Sequence, residues 1–232
     1  MNKEAALLNA RYELKFNSKS SEYYTLRSWV LNHPLAFSPL YYPRLINNIY
    51  FDNYDLEAFH ENLTGISSRT KLRLRWYGKT SNPNNTTLEL KLRKNLLGWK
   101  ISSKVEMKES SLENISWRCL ENHIKNQIPK DLALHYDTSP FAVLMNRYER
   151  EYFISANNKV RITLDKNIRF YDQRFKLSMN KSFINISPDM VIMEVKVNAS
   201  DFDEAEKLTK DVYIQRTKNS KYVVGVCSIL GY

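Results

Sequence analysis

Lys and Arg recur at every second position in several stretches of this chain, with glutamates among them and apolar residues between. Lys71, Arg73 and Arg75 alternate with Leu72, Leu74 and Trp76; Glu89, Lys91 and Arg93 alternate with Leu88, Leu90 and Leu92; Glu194 and Lys196 alternate with Met193, Val195 and Val197. Arginine forks grip nonbridging phosphate oxygens in pairs, and lysine supplies a point charge. Glutamates cannot hold phosphate directly, but they hold Mg²⁺ or Mn²⁺, hard ions that bridge carboxylate and phosphate oxygens. Cations mixed with carboxylates therefore point to metal-assisted phosphoryl chemistry on a phosphate chain.

Period two means strands, whose side chains alternate between the two faces of a sheet. The same pattern groups Arg11, Glu13 and Lys15; Lys104, Glu106 and Lys108; Arg147, Glu149 and Glu151; and Arg161 with Asp165. On any one strand, alternating charges are explained by cross-strand ion pairs on a solvated surface. Repeated over seven strands, that explanation leaves the excess of Lys and Arg without a role. Either the charged faces bind a polyanion externally, or the sheet closes on itself so that they line a water-filled bore, with helices covering the apolar faces outside.

The chain has 232 residues, 43% hydrophobic and 12% aromatic, which suffices for one large domain, residues 1–232, with a real core. A net charge of +10 favours an anionic partner and excludes a chain built to repel phosphate. Cys119 and Cys227 lie far apart with no metal-ligand spacing, as expected in a reducing cytoplasm. No apolar run approaches the roughly 18 residues of a membrane span. His33, His60, His123 and His135 pair with no nucleophile, so none is a general base. There is no Walker A or kinase glycine loop, and with only five glycines phosphate must be held by side chains. Tyr50, Phe51, Trp76 and Tyr77 have the chemistry to stack an adenine, but aromatics near strand ends more often pack, and no base site is assigned.

Strands are expected at about 10–16, 47–52, 67–77, 87–94, 99–108, 142–154, 159–171 and 190–197. Helices are expected from 18–21 to about Asn32, over 55–63, from Ser110 and Ser111 through 112–127 to a stop at Pro129, from Ser200 to about Val212, and over 219–230. Pro34, Pro39 and Pro43 read as a turn. Short loops make the sheet mostly antiparallel, an α+β fold.

RYELKF at Arg11–Phe16, IYFDN at Ile49–Asn53, LRLRWYG at Leu72–Gly78, LELK at Leu88–Lys91, VRITLD at Val160–Asp165, MEVKV at Met193–Val197 and SKY at Ser220–Tyr222 carry a resemblance over nearly the whole chain. It resembles the VTC domain of polyphosphate polymerases, within the triphosphate tunnel metalloenzyme superfamily. The resemblance implies an eight-stranded antiparallel β-barrel tunnel with a charged interior and helices packed outside. It implies that ATP and the growing inorganic polyphosphate are bound by Lys15, Arg73, Arg75, Lys91, Lys104, Arg147, Arg161, Lys196 and Lys221, with Ser220 beside them. It also implies that Glu194 holds Mn²⁺ or Mg²⁺, with Glu13, Glu89 and Glu106 as further candidate ligands. The superfamily's first-strand ExExK stands here as Arg11-x-Glu13-x-Lys15, which is similar to the polymerase branch rather than the hydrolases. The expected activity is transfer of the terminal phosphoryl group of ATP to polyphosphate, with a triphosphatase or a noncatalytic polyphosphate binder as the rivals. No nucleic acid partner is expected. The chain reads as a stand-alone catalytic domain, any membrane function falling to a separate protein.

Overall fold

Alternation of apolar and charged residues yields eight strands: β1 (Arg11–Ser18), β2 (Ser38–Asp52), β3 (Ser68–Tyr77), β4 (Asn84–Lys94), β5 (Leu97–Lys104), β6 (Phe141–Ile154), β7 (Val160–Asp172) and β8 (Val191–Asn198). In the computed structural model, which describes residues 10–80, 83–107, 112, 115–182, 189–210 and 212–231, they pair antiparallel in the order β1-β5-β4-β3-β2-β6-β7-β8. The ring closes where β8 pairs with β1, Lys15 opposite Glu194 and Glu13 opposite Lys196. This is the expected α+β fold. A closed ring leaves no unpaired sheet edge.

Six α-helices accompany the ring among the described residues: α1 (Tyr23–Leu31), α2 (Glu57–Thr64), α3 (Trp117–Lys125), α4 (Lys130–Thr138), α5 (Phe202–Lys210) and α6 (Lys221–Leu230). The apolar strand faces point outward and are buried under helices. Leu72, Leu74, Trp76, Leu88 and Leu90 pack with Leu120 and Ile124 of α3 and Leu132 and Tyr136 of α4. Leu14, Phe16, Ile162, Leu164, Met193 and Val195 pack with Leu26 and Val30 of α1 and Ala205 and Leu208 of α5. No helix among the described residues is long and apolar enough to cross a membrane.

Three local expectations need correction. Pro39 and Pro43 lie inside β2, not in a turn, because its first half slips register twice against β6, where a missing N–H breaks no regular ladder. Pro129 does not merely end a helix: it is the N-cap of α4, a position that needs no proline N–H. The preceding helix is capped by Ser116, whose side chain accepts from the Cys119 N–H, whereas the expected start at Ser110 and Ser111 lies outside the described residues.

The helices are also not all outside. Tyr222 and Val226 of α6 pack with Tyr50, Tyr148 and Ile192, which share the charged, inward register. Tyr222 stacks on Tyr50 and donates to Asp52, whose carboxylate also accepts the Ala58 and Phe59 N–H groups of α2. Gly225 permits this close approach, since a Cβ there would collide with Leu144 and fall 2.8 Å from Cδ1 of Phe170. Gly225→Ala is therefore expected to destabilise the protein by about 1–3 kcal/mol through overpacking, against a helix-propensity gain of only about 1 kcal/mol. A urea titration showing an unchanged or higher midpoint would contradict this seating of α6.

Candidate phosphate-binding site

The inward face of the ring encloses a cavity of about 450 Å³, lined by ten Lys or Arg side chains and two glutamates, Glu13 and Glu194. The imbalance leaves the lining strongly positive, a charge suited to a polyanion. Strand alternation delivers Lys15 from β1, Arg73 and Arg75 from β3, Lys91 from β4 and Lys196 from β8, while α6 begins at the wall with Ser220 and Lys221. All seven are among the residues named from sequence.

The start of α6 is docked into the ring by the site itself. Lys15 donates to the Asn219 carbonyl at 2.9 Å, Lys71 to Oγ of Ser220 at 3.2 Å, and Lys221 forms an ion pair with Asp165. Ser220 caps the helix by accepting from the Val223 N–H. The positive end of the helix dipole thus meets the cavity, adding to its preference for anions.

Glu194 stands at the centre of a cation cluster: Lys196 at 3.0 Å, Arg150 at 3.3 Å, Lys15 at 3.4 Å and Lys221 at 3.6 Å. Burial alone would raise its pKa, but these four cations hold it well below the usual carboxylate range. Behind it Asp165, with no solvent exposure, receives both forks of Arg150 at 2.5 and 2.6 Å. Its pKa is likewise lowered, burial being outweighed by Arg150 and Lys221. Glu13 pairs with Lys91 at 2.7 Å, and Glu89 with Arg73 at 2.6 Å, Lys100 at 2.7 Å and Arg75 at 3.7 Å.

Five residues named from sequence do not line the cavity, among them Glu89, which shares the inward register but is taken up by Arg73, Arg75 and Lys100. Arg147 lies on the opposite face of β6 from Tyr148 and Arg150, which line the cavity. Lys104 and Arg161 share the inward register, opposite Thr87 and Lys196, but are exposed at the ends of their strands. Glu106 lies beyond β5, where its N–H donates to Gln127 and its carbonyl contacts His123. Conversely, Arg150, Lys100 and Tyr148 were not named, while Arg11, Lys71 and Asp165 were placed on charged strand faces but not assigned to the site. The outer face of β6 is itself ionic, Glu151 pairing with Arg27 of α1, so alternation there favours neither face. Counting back from Phe153, which is buried on the outside with Ile162, would have placed Arg147 outward and Arg150 inward.

No cluster of three or more His, Cys, Asp or Glu side chains capable of holding a metal occurs among the described residues. The donor set fits an ion that arrives with its phosphate ligands: Glu13 and Glu194 line the cavity, and both are held ionised below the ordinary carboxylate range, in Glu13 because Lys91, Lys196 and Lys15 outweigh burial. Magnesium is commonly bound in this way, by one or two carboxylates plus substrate phosphates. Glu89, shared among three cations, and Glu106, outside the ring, do not contribute to such a set.

Two cavity groups titrate just above neutrality. Burial lowers Lys91 to about 8, the attraction of Glu13 being partly offset by Lys15. Burial would raise the Tyr148 phenol, but Arg150, Arg75 and Lys221 outweigh it and bring it down to about 8. Below that pH Lys91 is charged and Tyr148 neutral; above it a positive charge disappears and a negative one forms. Affinity for inorganic tripolyphosphate is therefore expected to fall about tenfold or more between pH 7 and pH 9, and calorimetric titrations giving one dissociation constant across that range would refute the two assignments.

The VTC domain family model matches residues 10–230. The chain belongs to this family. No curated protein matches the sequence. VTC-like ring architecture is shared with solved structures of low identity. The adenylyl cyclase-named HpAC1 from Hippeastrum, described as having a dominant triphosphatase activity, superposes with a TM-score of 0.54 at 11% identity, covering 96% of this chain and 95% of that one. The PH1819 protein from Pyrococcus horikoshii OT3 gives 0.50 at 13% identity, covering 92% and 97%. An adenylate cyclase-named protein from Vibrio parahaemolyticus gives 0.50 at 10% identity, covering 93% and 97%.

Proposed function

We propose that this chain is a single VTC-like tunnel domain that transfers the terminal phosphoryl group of ATP to inorganic polyphosphate. The observation that carries this reading is the cavity lining, ten Lys or Arg side chains against two glutamates inside a closed ring. Arg73, Arg75, Lys91 and Lys221 would neutralise the phosphate chain, and Lys71 would join them from a site where burial and the neighbouring cations Lys15, Lys91, Arg69 and Arg73 lower its pKa in the absence of a bound anion. An anion entering there relieves that repulsion. A terminal oxygen of the acceptor attacks the γ-phosphorus, the bond to the β,γ-bridging oxygen breaks, and ADP leaves, so no protein nucleophile is required. Positioning and fixed charge are what such a transfer needs from a protein. Mn²⁺ or Mg²⁺, held by Glu194 with Glu13 nearby, would supply further neutralisation of phosphate oxygens when bound. The arrangement fits a cytoplasmic enzyme with a phosphate polymer rather than nucleic acid in its bore, coupled to any membrane step by a separate protein.

A triphosphatase, with water as acceptor, is the second reading. It is favoured by α6, which packs against inward-facing Tyr50, Tyr148 and Ile192 and so occupies part of the ring interior through which a long product would pass. Incubation of the purified protein with ATP and either metal, followed by gel analysis, separates the two. Long polymer supports the polymerase, orthophosphate alone supports the triphosphatase, and no turnover with retained tripolyphosphate binding leaves a binder.

A further inference from the structure

Two asparagines lie side by side on the inner wall of the ring, and neither touches solvent. Asn48 of β2 is opposite Arg75 of β3 on one side and Asn146 of β6 on the other, and both side chains are fully buried. The residues flanking them on the same face, Ile46 and Tyr50 on β2 and Leu144 and Tyr148 on β6, belong to the apolar packing beneath α6. An amide placed in such surroundings is costly unless it is hydrogen-bonded, so the pair calls for a partner that needs it.

That partner is Arg75. Its Nε donates to Oδ1 of Asn48 at 2.7 Å, and Nδ2 of Asn48 donates to Oδ1 of Asn146 at 2.7 Å. A guanidinium has donors only, so Asn48 must turn its oxygen to Arg75, and its NH₂ then requires the oxygen of Asn146. One orientation satisfies the row. It leaves Nδ2 of Asn146 buried without a hydrogen-bond partner among the described residues, an unmet donor at one end of a row whose other end is an arginine of the cavity wall.

Arg75 also has a competing attraction. Glu89 lies 3.7 Å from its Nη1 and already holds Arg73 at 2.6 Å and Lys100 at 2.7 Å. Closer pairing would spend the Nη1 donors on that carboxylate. Instead Asn48 takes Nε, the Tyr148 hydroxyl accepts from Nη2 at 3.2 Å, and Nη1 makes no hydrogen bond among the described residues.

We propose that Asn48, with its amide fixed by Asn146, is a positioning residue that holds the Arg75 guanidinium off Glu89 and keeps its Nη1 donors for a phosphate in the cavity. The proposal rests on the phosphate-binding reading of the ring and deepens it by naming what sets the geometry of one phosphate contact. Asn48→Leu keeps the volume and removes the acceptor. It is expected to weaken inorganic tripolyphosphate about tenfold in a metal-free calorimetric titration. In an Arg75→Met background the same substitution should cost nothing further, because its effect passes through Arg75. A residue that merely supports the wall would add its loss in both backgrounds, and that result would overturn the proposal.

The Tyr148 phenol supplies a second readout. Burial raises it, and Arg150 and Arg75 lead the cations that bring it down to about 8. Absorbance titration, with Tyr148→Phe identifying the signal, should show it rising in Asn48→Leu as it does in Arg75→Met, and an unmoved phenol would overturn the proposal. If Asn48→Leu does not fold, Asn146→Leu carries the same two measurements, since it removes the acceptor that fixes Asn48 together with the unpartnered donor. No tripolyphosphate binding by the unaltered protein would overturn the cavity reading and this proposal with it, whereas additive losses overturn the proposal alone.

Discussion

Glu194→Gln is expected to cut turnover of ATP on the order of a hundredfold or more while leaving metal-free binding of tripolyphosphate unchanged or tighter. The two effects have opposite signs because the carboxylate does two things in a cation-rich site. It is held ionised by Lys196, Lys15, Arg150 and Lys221, so it is available to a hard divalent ion at any pH near neutrality. It also cancels part of the positive charge that attracts phosphate. The amide keeps the volume and removes the charge, so a phosphate chain meets a more positive wall. An ion accompanying that chain, in contrast, loses its protein ligand, and charge stabilisation by a metal is worth several kcal/mol in such transfers. Glu13→Gln is expected to cost less, because that side chain is 22% exposed and, among the described residues, forms an ion pair with Lys91 alone. Initial rates in Mn²⁺ and Mg²⁺, together with a calorimetric titration of the same preparation, read both quantities. Wild-type turnover in Glu194→Gln would remove the residue from the reaction, and a parallel loss of rate and binding would reduce it to a structural role.

Legibility in the sequence followed from how different the two faces of each strand are. On β1, β3, β4 and β8 one face is ionic and the other apolar, so the alternation of Leu72, Leu74 and Trp76 with Lys71, Arg73 and Arg75 identified both the strand and its inward side. On β6 the outward face carries Glu149 and Glu151, paired with Lys166 and Arg27, and the pattern lost its direction, taking Arg147 for a cavity residue and passing over Arg150. Alternation also says nothing about where along a strand the cavity lies. Lys100 and Lys104 share one face of β5, yet only Lys100 lines the cavity. Lys221 does reach the cavity wall, but its partner Asp165 depends on docking α6 against β7, a contact that no local pattern encodes. The Tyr41–Tyr152 ring contact was hidden for a related reason. The prolines beside Tyr41 read as a turn, while the contact forms only once β2 pairs with β6.

Arg150→Met is expected to lower the free energy of unfolding by about 3 kcal/mol, the largest stability effect foreseen for a single site in the ring. Asp165 is fully buried, and Arg150, 6% exposed, supplies two of its hydrogen bonds. Without the guanidinium the carboxylate keeps, among the described residues, one ion-pair partner, Lys221, which Glu194 also attracts. Desolvating a charge and then removing its partner costs more than the pair contributes, so Arg150→Met combined with Asp165→Leu is expected to recover most of the loss. The same carboxylate fixes the acid limb. Its pKa is depressed in the folded state, as are those of Glu13, Glu89 and Glu194, so their contribution is present above the ordinary carboxylate value and is lost as pH falls below it. Urea midpoints should therefore drop between pH 6 and pH 3, and the drop should be smaller in the double variant, which lacks one of the four groups. A single variant within 1 kcal/mol of wild type would mean that water screens Asp165 as it does a surface residue, and that the wall behind Glu194 is not the dry ionic layer its burial describes.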